Sequence, residues 1–281
     1  GLATVLGNLG LIHYTNGEMR AAGIRYDESI ALLRSVLARK NNINVVTGLA
    51  QTLCNKSSLL VDLGQYGEAK KVLDECLSIY SGYKDGFPQV LLADIYSQKS
   101  VVRIKIGYTE GALQSNEISL NILQNLVECE HQSELRGKLS ADYMNQGVLY
   151  EENKEYAKAL QSYDKCINLL HGMVIHEGID EMLVEYARVL MNKSFTLNMM
   201  GDNVAAHSVL DSAIGICRQA VYQGGRHDLE EMLAMTLLAK ATILSYGQSS
   251  PGAVAALCES IILYEKMVHK QGRKVLNDTL K

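Results

Sequence analysis

One step length governs the whole chain. A leucine-alanine-type pair stands at Leu2-Ala3, Leu49-Ala50, Leu92-Ala93, Leu139-Ser140, Tyr186-Ala187, Leu233-Ala234 and Leu280-Lys281, spaced by 47 residues except for one step of 43. A period this steady implies a single supersecondary unit copied and stacked, each copy packing on its neighbours rather than around one central core. A chain of 281 residues built that way escapes the size at which compact cores split.

Composition narrows the unit to helices. Two prolines, no tryptophan and 47% hydrophobic residues suit long uninterrupted helices better than strands joined by turns. A net charge of −4 and a pI near 6.0 provide no global field for nucleic acid, which is therefore not an expected partner. No run approaches about 18 apolar residues, so no membrane span or membrane partner is expected. The opening Gly1-Leu2-Ala3-Thr4-Val5-Leu6 has no initiator methionine and no basic leader, and reads as a cut end. The cysteines Cys54, Cys76, Cys129, Cys166, Cys217 and Cys258 form no C-x-x-C pair. At least four fall on small or apolar repeat positions, which predicts reduced core thiols and a cytoplasmic address.

Each copy resolves into two helices and a break. In the second copy Leu49, Leu53, Leu59, Leu60 and Leu63 share a helical face, Gly64 ends that helix, and Tyr66, Ala69, Leu73, Cys76 and Leu77 begin another. Gly17, Gly107 and Gly201 stand where Gly64 does, supplying the left-handed backbone on which helices often end. The fourth copy has Lys154 there, and the sixth shifts to Gly247 with Pro251 entering its second helix. Connectors are expected at Ser81–Gly86, Glu130–Ser133, His171-Gly172-Met173 and Gln223–Arg226. The 43-residue step predicts a shortened connector around Tyr80 to Pro88.

Small residues recur in register. The second helix reads Ala22, Ala69, Ala112, Ala159, Ala206 and Ala253, and seven residues on Ser29, Cys76, Ser119, Cys166, Ala213 and Ser260. The first helix reads Gly10, Ser57, Ser100, Gly147, Ser194 and Ala241. Large positions read Leu6, Leu53, Tyr96, Tyr143, Leu190 and Leu237 on the first helix, and Tyr26, Leu73, Asn116, Tyr163, Leu210 and Leu257 on the second. This pattern resembles the tetratricopeptide repeat family with an extended period. It departs from the family in lacking the proline at each repeat end and in carrying extra residues per copy, which must lengthen helices or connectors. The resemblance implies an all-α fold: a right-handed α–α superhelix, a single solenoid over 1–281 of about six helical hairpins, with copies near 1–40, 41–83, 84–130, 131–177, 178–224 and 225–271. Residues 272–281 then start a further helix.

The resemblance also implies a protein or peptide ligand held in a concave groove lined by the first helices. Two positions before each small first-helix residue stand Asn8, Asn55, Gln98, Asn145, Asn192 and Ala239. A side-chain amide there offers an acceptor and two donors to an extended backbone; the competing reading is that the amides bridge neighbouring helices or face water. Near the last copies Arg188, Met191, Phe195, Asn198, Met199, Met235, Leu238, Thr242 and Tyr246 form an apolar end, suited to a hydrophobic segment or covered by a following repeat. In the middle copies Cys54, Ser58, Asp62, Asp94, Val101, Lys105, Met144, Glu151 and Glu152 mix both signs. The candidate partner-binding set is Asn8, Asn55, Gln98, Asn145, Asn192, Arg188, Met191, Phe195 and Lys105. Lys56, Lys99, Lys193 and Lys240 follow the ladder amide; their stems are expected on the core edge with the ammonium in water, the alternative being a positive rim.

Enzyme signatures are missing. There is no G-x-S-x-G, H-E-x-x-H, G-x-x-x-x-G-K-[ST] or G-x-G-x-x-G. His171 and His176 flank a connector without a further ligand at metal spacing, and Glu151-Glu152 diverge on a helix surface. No catalytic residue, cofactor or metal is expected. Two functions remain: a non-catalytic interaction scaffold, or the regulatory or sensor array of a larger signalling ATPase or protease. Leu280, reaching the next repeat position, favours an array that continues. The partner and the oligomeric state are open.

Overall fold

The structure is a computed structural model that describes residues 1–39, 42–245 and 251–269. Tyr246, Gly247 and the helix expected over 272–281 lie outside the described residues. Twelve α-helices and no strand are present among those described, paired into hairpins: α1 (Leu2–Thr15) with α2 (Met19–Leu37), α3 (Ile43–Asp62) with α4 (Tyr66–Gly82), α5 (Gln89–Lys105) with α6 (Thr109–Gln124), α7 (Arg136–Glu152) with α8 (Tyr156–His171), α9 (Leu183–Met199) with α10 (Asn203–Arg218), and α11 (Glu230–Ser245) with α12 (Pro251–His269). The chain divides into two compact units, Gly1–Leu135 and Arg136–Lys281. Each holds three hairpins.

The turn inside each hairpin is set by one left-handed residue. Gly17, Gly64, Gly107 and Gly201 have φ of 77°, 71°, 78° and 84°. The following amide then reaches back to the carbonyl five residues earlier, as in Gln65 N–H to Leu60 O at 2.8 Å and Asp202 N–H to Leu197 O at 3.0 Å. These bonds satisfy carbonyls that the helix end would otherwise orphan. Lys154 adopts the same conformation, φ 61°, and Glu155 N–H makes the same bond to Tyr150 O at 2.8 Å. The geometry is thus kept where glycine is not, at the steric cost that a Cβ carries in this region.

The register of small residues marks where helices touch. All six second-helix alanines are buried, as are Ser57, Ser100 and Ser194. Glycine on the first helix coincides with tyrosine on the second. A Cβ on Gly10 would lie 2.7 Å from the Tyr26 ring, and one on Gly147 would lie 2.3 Å from the Tyr163 ring. Copies with leucine or asparagine at that second-helix position have serine or alanine instead of glycine. The two positions therefore trade volume, as a close-packed seam demands.

A second tie runs from the small residue seven places later. Ser29, Ser119 and Ser260 donate to the carbonyls of Ala3, Ala93 and Ala234 at 2.8, 2.9 and 2.8 Å, and the Cys76 thiol to Ala50 O at 3.6 Å. Each acceptor is the alanine of the recurring leucine-alanine pair. The period is thereby stitched inside every one of these hairpins.

The extra residues per copy go into the connectors. After α6, α8 and α10 the helix widens into one π turn, Asn125–Cys129, Gly172–His176 and Gln219–Gln223, followed by a 3-10 turn, Ser133–Leu135, Asp180–Met182 and His227–Leu229. Gly172 continues the helix with φ −57°, so His171-Gly172-Met173 is not the connector expected from glycine alone. The break comes at Gly178, whose φ of 71° matches Gly225 and, in place of glycine, His131. Between α4 and α5 neither turn occurs and residues 83–88 suffice, over the 43-residue step; the α2–α3 connection has neither turn among its described residues either, and there longer helix ends, α2 running to Leu37 and α3 starting at Ile43, keep the 47-residue step.

Candidate functional site

Within each unit the first helices pack on one another, α1 on α3 and α3 on α5, then α7 on α9 and α9 on α11. Their remaining face carries a stripe at helical spacing. On α9 it reads Arg188, Asn192, Phe195 and Met199; on α5 it reads Asp94, Gln98, Val101 and Lys105. Steps of four and three residues keep these side chains on one face.

In the first unit most of this stripe is tied to itself. Gln51 Nε2 donates to Asn55 Oδ1 at 3.1 Å, Gln98 Nε2 donates to Ser58 Oγ at 2.7 Å across α5 and α3, and the Tyr14 hydroxyl donates to Asp62 across α1 and α3. Burial, then the Asp62 carboxylate, pushes the Tyr14 phenol up, out of its ordinary range. Asn8 and Lys105 are exposed. Cys54, expected on this face, is buried in the core.

In the second unit the amides are left over. Asn145 and Asn192 are half-buried, and neither side chain makes a hydrogen bond among the described residues. Arg188 is exposed; Met191 and Phe195 are half-buried against the core formed by Leu210, Ile214 and Leu237. Met199 is 62% exposed. Below the stripe, Glu151 accepts from Tyr163 at 3.0 Å and from Thr196 of α9 at 2.7 Å. That places Glu151 between three helices rather than on the solvated face expected from its neighbour Glu152. Burial first, then Glu151, drives the Tyr163 phenol well up.

The lysines following the amides do not end in open water. Lys56 pairs with Asp27, Lys99 with Asp74, Lys193 with Asp164 and Lys240 with Asp211, at 2.5 to 2.7 Å. Each aspartate lies on the second helix of the preceding hairpin. The stems are largely covered, down to 12% side-chain exposure at Lys99, while the carboxylates stay about half exposed. Such pairs contribute ~1 kcal/mol or less. Their consequence is neutralisation: the lysines form no free positive rim.

Metal and nucleophile candidates also resolve structurally. The His171 and His176 rings meet edge-to-face at 5.1 Å across the π turn, and no group of three His, Cys, Asp or Glu side chains among the described residues is placed to hold a metal. Cys54, Cys76, Cys166 and Cys217 are buried free thiols; Cys129 and Cys258 are exposed. Burial pushes the Cys166 thiol up to about 12 and Cys217 up to about 11, so neither is a nucleophile near neutral pH. A cavity of about 500 Å³ opens beside the π turns of the second unit, lined by Val174, Asp180, Leu183, Gln219 and Arg226 among others. Arg226 is already held by Asp228 and the Asp180 carbonyl. No described helix is long and apolar enough to cross a membrane.

A family model described as tetratricopeptide repeat matches residues 50–83 and 143–169. Among solved structures, the apo form of RapI is 15% identical, with 99% of this chain and 94% of that chain covered and a TM-score of 0.67. BtubC from P. vanneervenii is 16% identical over 92% of each chain, with a TM-score of 0.64. A signal transduction ATPase with numerous domains and a tetratricopeptide repeat sensor, from Pyrococcus horikoshii, is 12% identical, with a TM-score of 0.62 over 92% of this chain and 38% of that one. At these identities the likeness is one of fold. No curated protein sequence matches the chain.

Proposed function

We propose, from the premise that this chain is a tetratricopeptide-repeat protein, that it is a non-catalytic scaffold which binds an extended peptide or a partner protein along the first-helix face, chiefly in the second unit. The observation that supports this reading is the pair Asn145 and Asn192, at the same register on successive first helices, with amides that no described side chain or backbone group engages. Both amides are partly exposed and bound to no described protein group, so each is open to a ligand backbone, which supplies it with both a donor and an acceptor. Arg188 adds a cation, and Met191 and Phe195 add apolar surface, so the ligand combines an acidic group with a hydrophobic side chain. Asn8 and Lys105 extend the face in the first unit, where Asn55 and Gln98 are committed to their neighbours. The four buried free thiols support a cytoplasmic setting. The sensor reading, within a larger ATPase or protease, has fold likeness alone behind it.

The test is to pan a displayed library of extended peptides on the purified chain. Replacing Asn145 and Asn192 together by Ala is expected to weaken selected peptides about tenfold or more while leaving the melting temperature unchanged. A lower melting temperature with unaltered affinity assigns the amides to structure. Failure to select any peptide sinks the reading.

A further inference from the structure

The cavity beside the π turns of the second unit arises where three register positions lose side-chain volume together. In the α7–α8 hairpin those positions are full. Met173 is 4% exposed, and Arg136 at the start of α7 is paired with Glu177 after the π turn. One period later, in the α9–α10 hairpin, the same positions read Ala220, Leu183 and Gly224. The methionine is cut back to a methyl group, and both members of the ion pair are gone. All three replacements line the one cavity of about 500 Å³.

A packing seam does not lose volume in this way. At Gly147 and Tyr163 one partner shrinks as the other grows, which keeps the contact filled. Here three positions shrink at once and the space stays open: Ala220 is half-buried where Met173 is covered, and Ile175 in the cavity wall is 54% exposed. The volume that is added is polar. Gln219 stands where the preceding hairpin has Gly172, and it too lines the cavity.

The lining has an apolar part and a polar part. Val174, Ile175, Leu183 and Ile216 form the first. Gln219, Gln223 and Asp180 belong to the second, and none of their side chains makes a hydrogen bond to a described residue; Asp180 is engaged only through its carbonyl, by Arg226. The Arg226 guanidinium is itself matched by Asp228. With that cation neutralised, the open Asp180 carboxylate sets the sign of the cavity.

We infer that this cavity is a binding site for a small molecule made of a compact apolar group and a protonated amine. The apolar group lies against Val174, Leu183, Ile216 and the space above Ala220. The ammonium donates to the Asp180 carboxylate, a charge-assisted bond of the stronger kind, and to the side-chain carbonyls of Gln219 and Gln223. The volume falls in the range of small-ligand sites, which join apolar walls to a few placed polar groups. The inference is independent of the peptide-binding reading, because Asn145, Asn192, Arg188, Met191 and Phe195 do not line the cavity.

Calorimetric titration of the purified chain with three probes tests it. Tryptamine, tryptophol and indole-3-acetate present one apolar ring with an ammonium, a hydroxyl and a carboxylate in turn. Tryptamine is expected to bind about tenfold tighter than tryptophol, and indole-3-acetate more weakly than either. Asp180→Asn is expected to bring tryptamine to within about twofold of tryptophol while leaving tryptophol unchanged. Ala220→Met, which restores the side chain of the preceding hairpin, is expected to abolish binding of all three probes without lowering the melting temperature. Asp180 is exposed, so Asp180→Asn keeps the fold and decides the question even where Ala220→Met does not. Absence of binding by every probe overturns the inference. So does a preference for tryptophol or indole-3-acetate, or tryptamine binding that Asp180→Asn leaves unchanged.

Discussion

The two compact units use one hairpin design and spend its polar groups differently. In the first, the stripe on the first helices is knitted into itself by Gln51–Asn55, Gln98–Ser58 and Tyr14–Asp62. In the second, the principal knot lies deeper, at Glu151 with Tyr163 and Thr196, and the stripe above it is left with unengaged amides. A shared register therefore fixes where a side chain stands and not what it is free to do. Availability depends on whether the neighbouring helix offers a partner: Asn55 and Gln98 find one, whereas Asn145 and Asn192, like the exposed Asn8, do not.

The glycine–tyrosine contacts break this comparison most sharply. Gly147→Ala is expected to cost ~3 kcal/mol, because Tyr163 is held by Glu151 and has no room to retreat. Gly10→Ala is expected to cost about half as much, ~1.5 kcal/mol, because the Tyr26 hydroxyl has no partner among the described residues and its buried ring is held by packing alone. Urea unfolding of both variants decides the matter; equal costs would mean that Glu151 does not anchor the second unit. Removing the hydroxyls is a gentler probe. Tyr163→Phe should lose ~1 kcal/mol with the Glu151 bond, and Tyr26→Phe should be neutral or slightly stabilising. The smallest effects are at the turns, where Lys154→Gly should stabilise the second unit by ~0.5 kcal/mol and Gly64→Ala should destabilise the first by ~1 kcal/mol. Thermal melts resolve both, and a Lys154→Gly variant that gains nothing would locate the compensation in the Lys154 side chain.

Much of the fold is legible because the packing is periodic. Ala22 and its five equivalents announce the seam, and the turn glycines announce the hairpin. The glycine–tyrosine exchange was also readable, by comparing Gly10 with Tyr26 and Gly147 with Tyr163 across the register. The π turns were not: a glycine such as Gly172 marks a possible break, and helix continuation there depends on Met173 and Val174 finding burial. The same holds for the lysines. Lys56 and Asp27 lie 29 residues apart, and nothing local tells a solvated ammonium from a paired one.

The sequence by itself determined the repeat, the two helices in each copy, the seam residues and the positions of the candidate amides, because volume and helical spacing act within a copy and recur in every one. The tertiary structure alone decided which amides are unengaged, that the lysine row is neutralised, and that Glu151 is a three-helix junction. Those properties belong to contacts between copies, where the outcome depends on what the neighbouring helix brings to the same point in space.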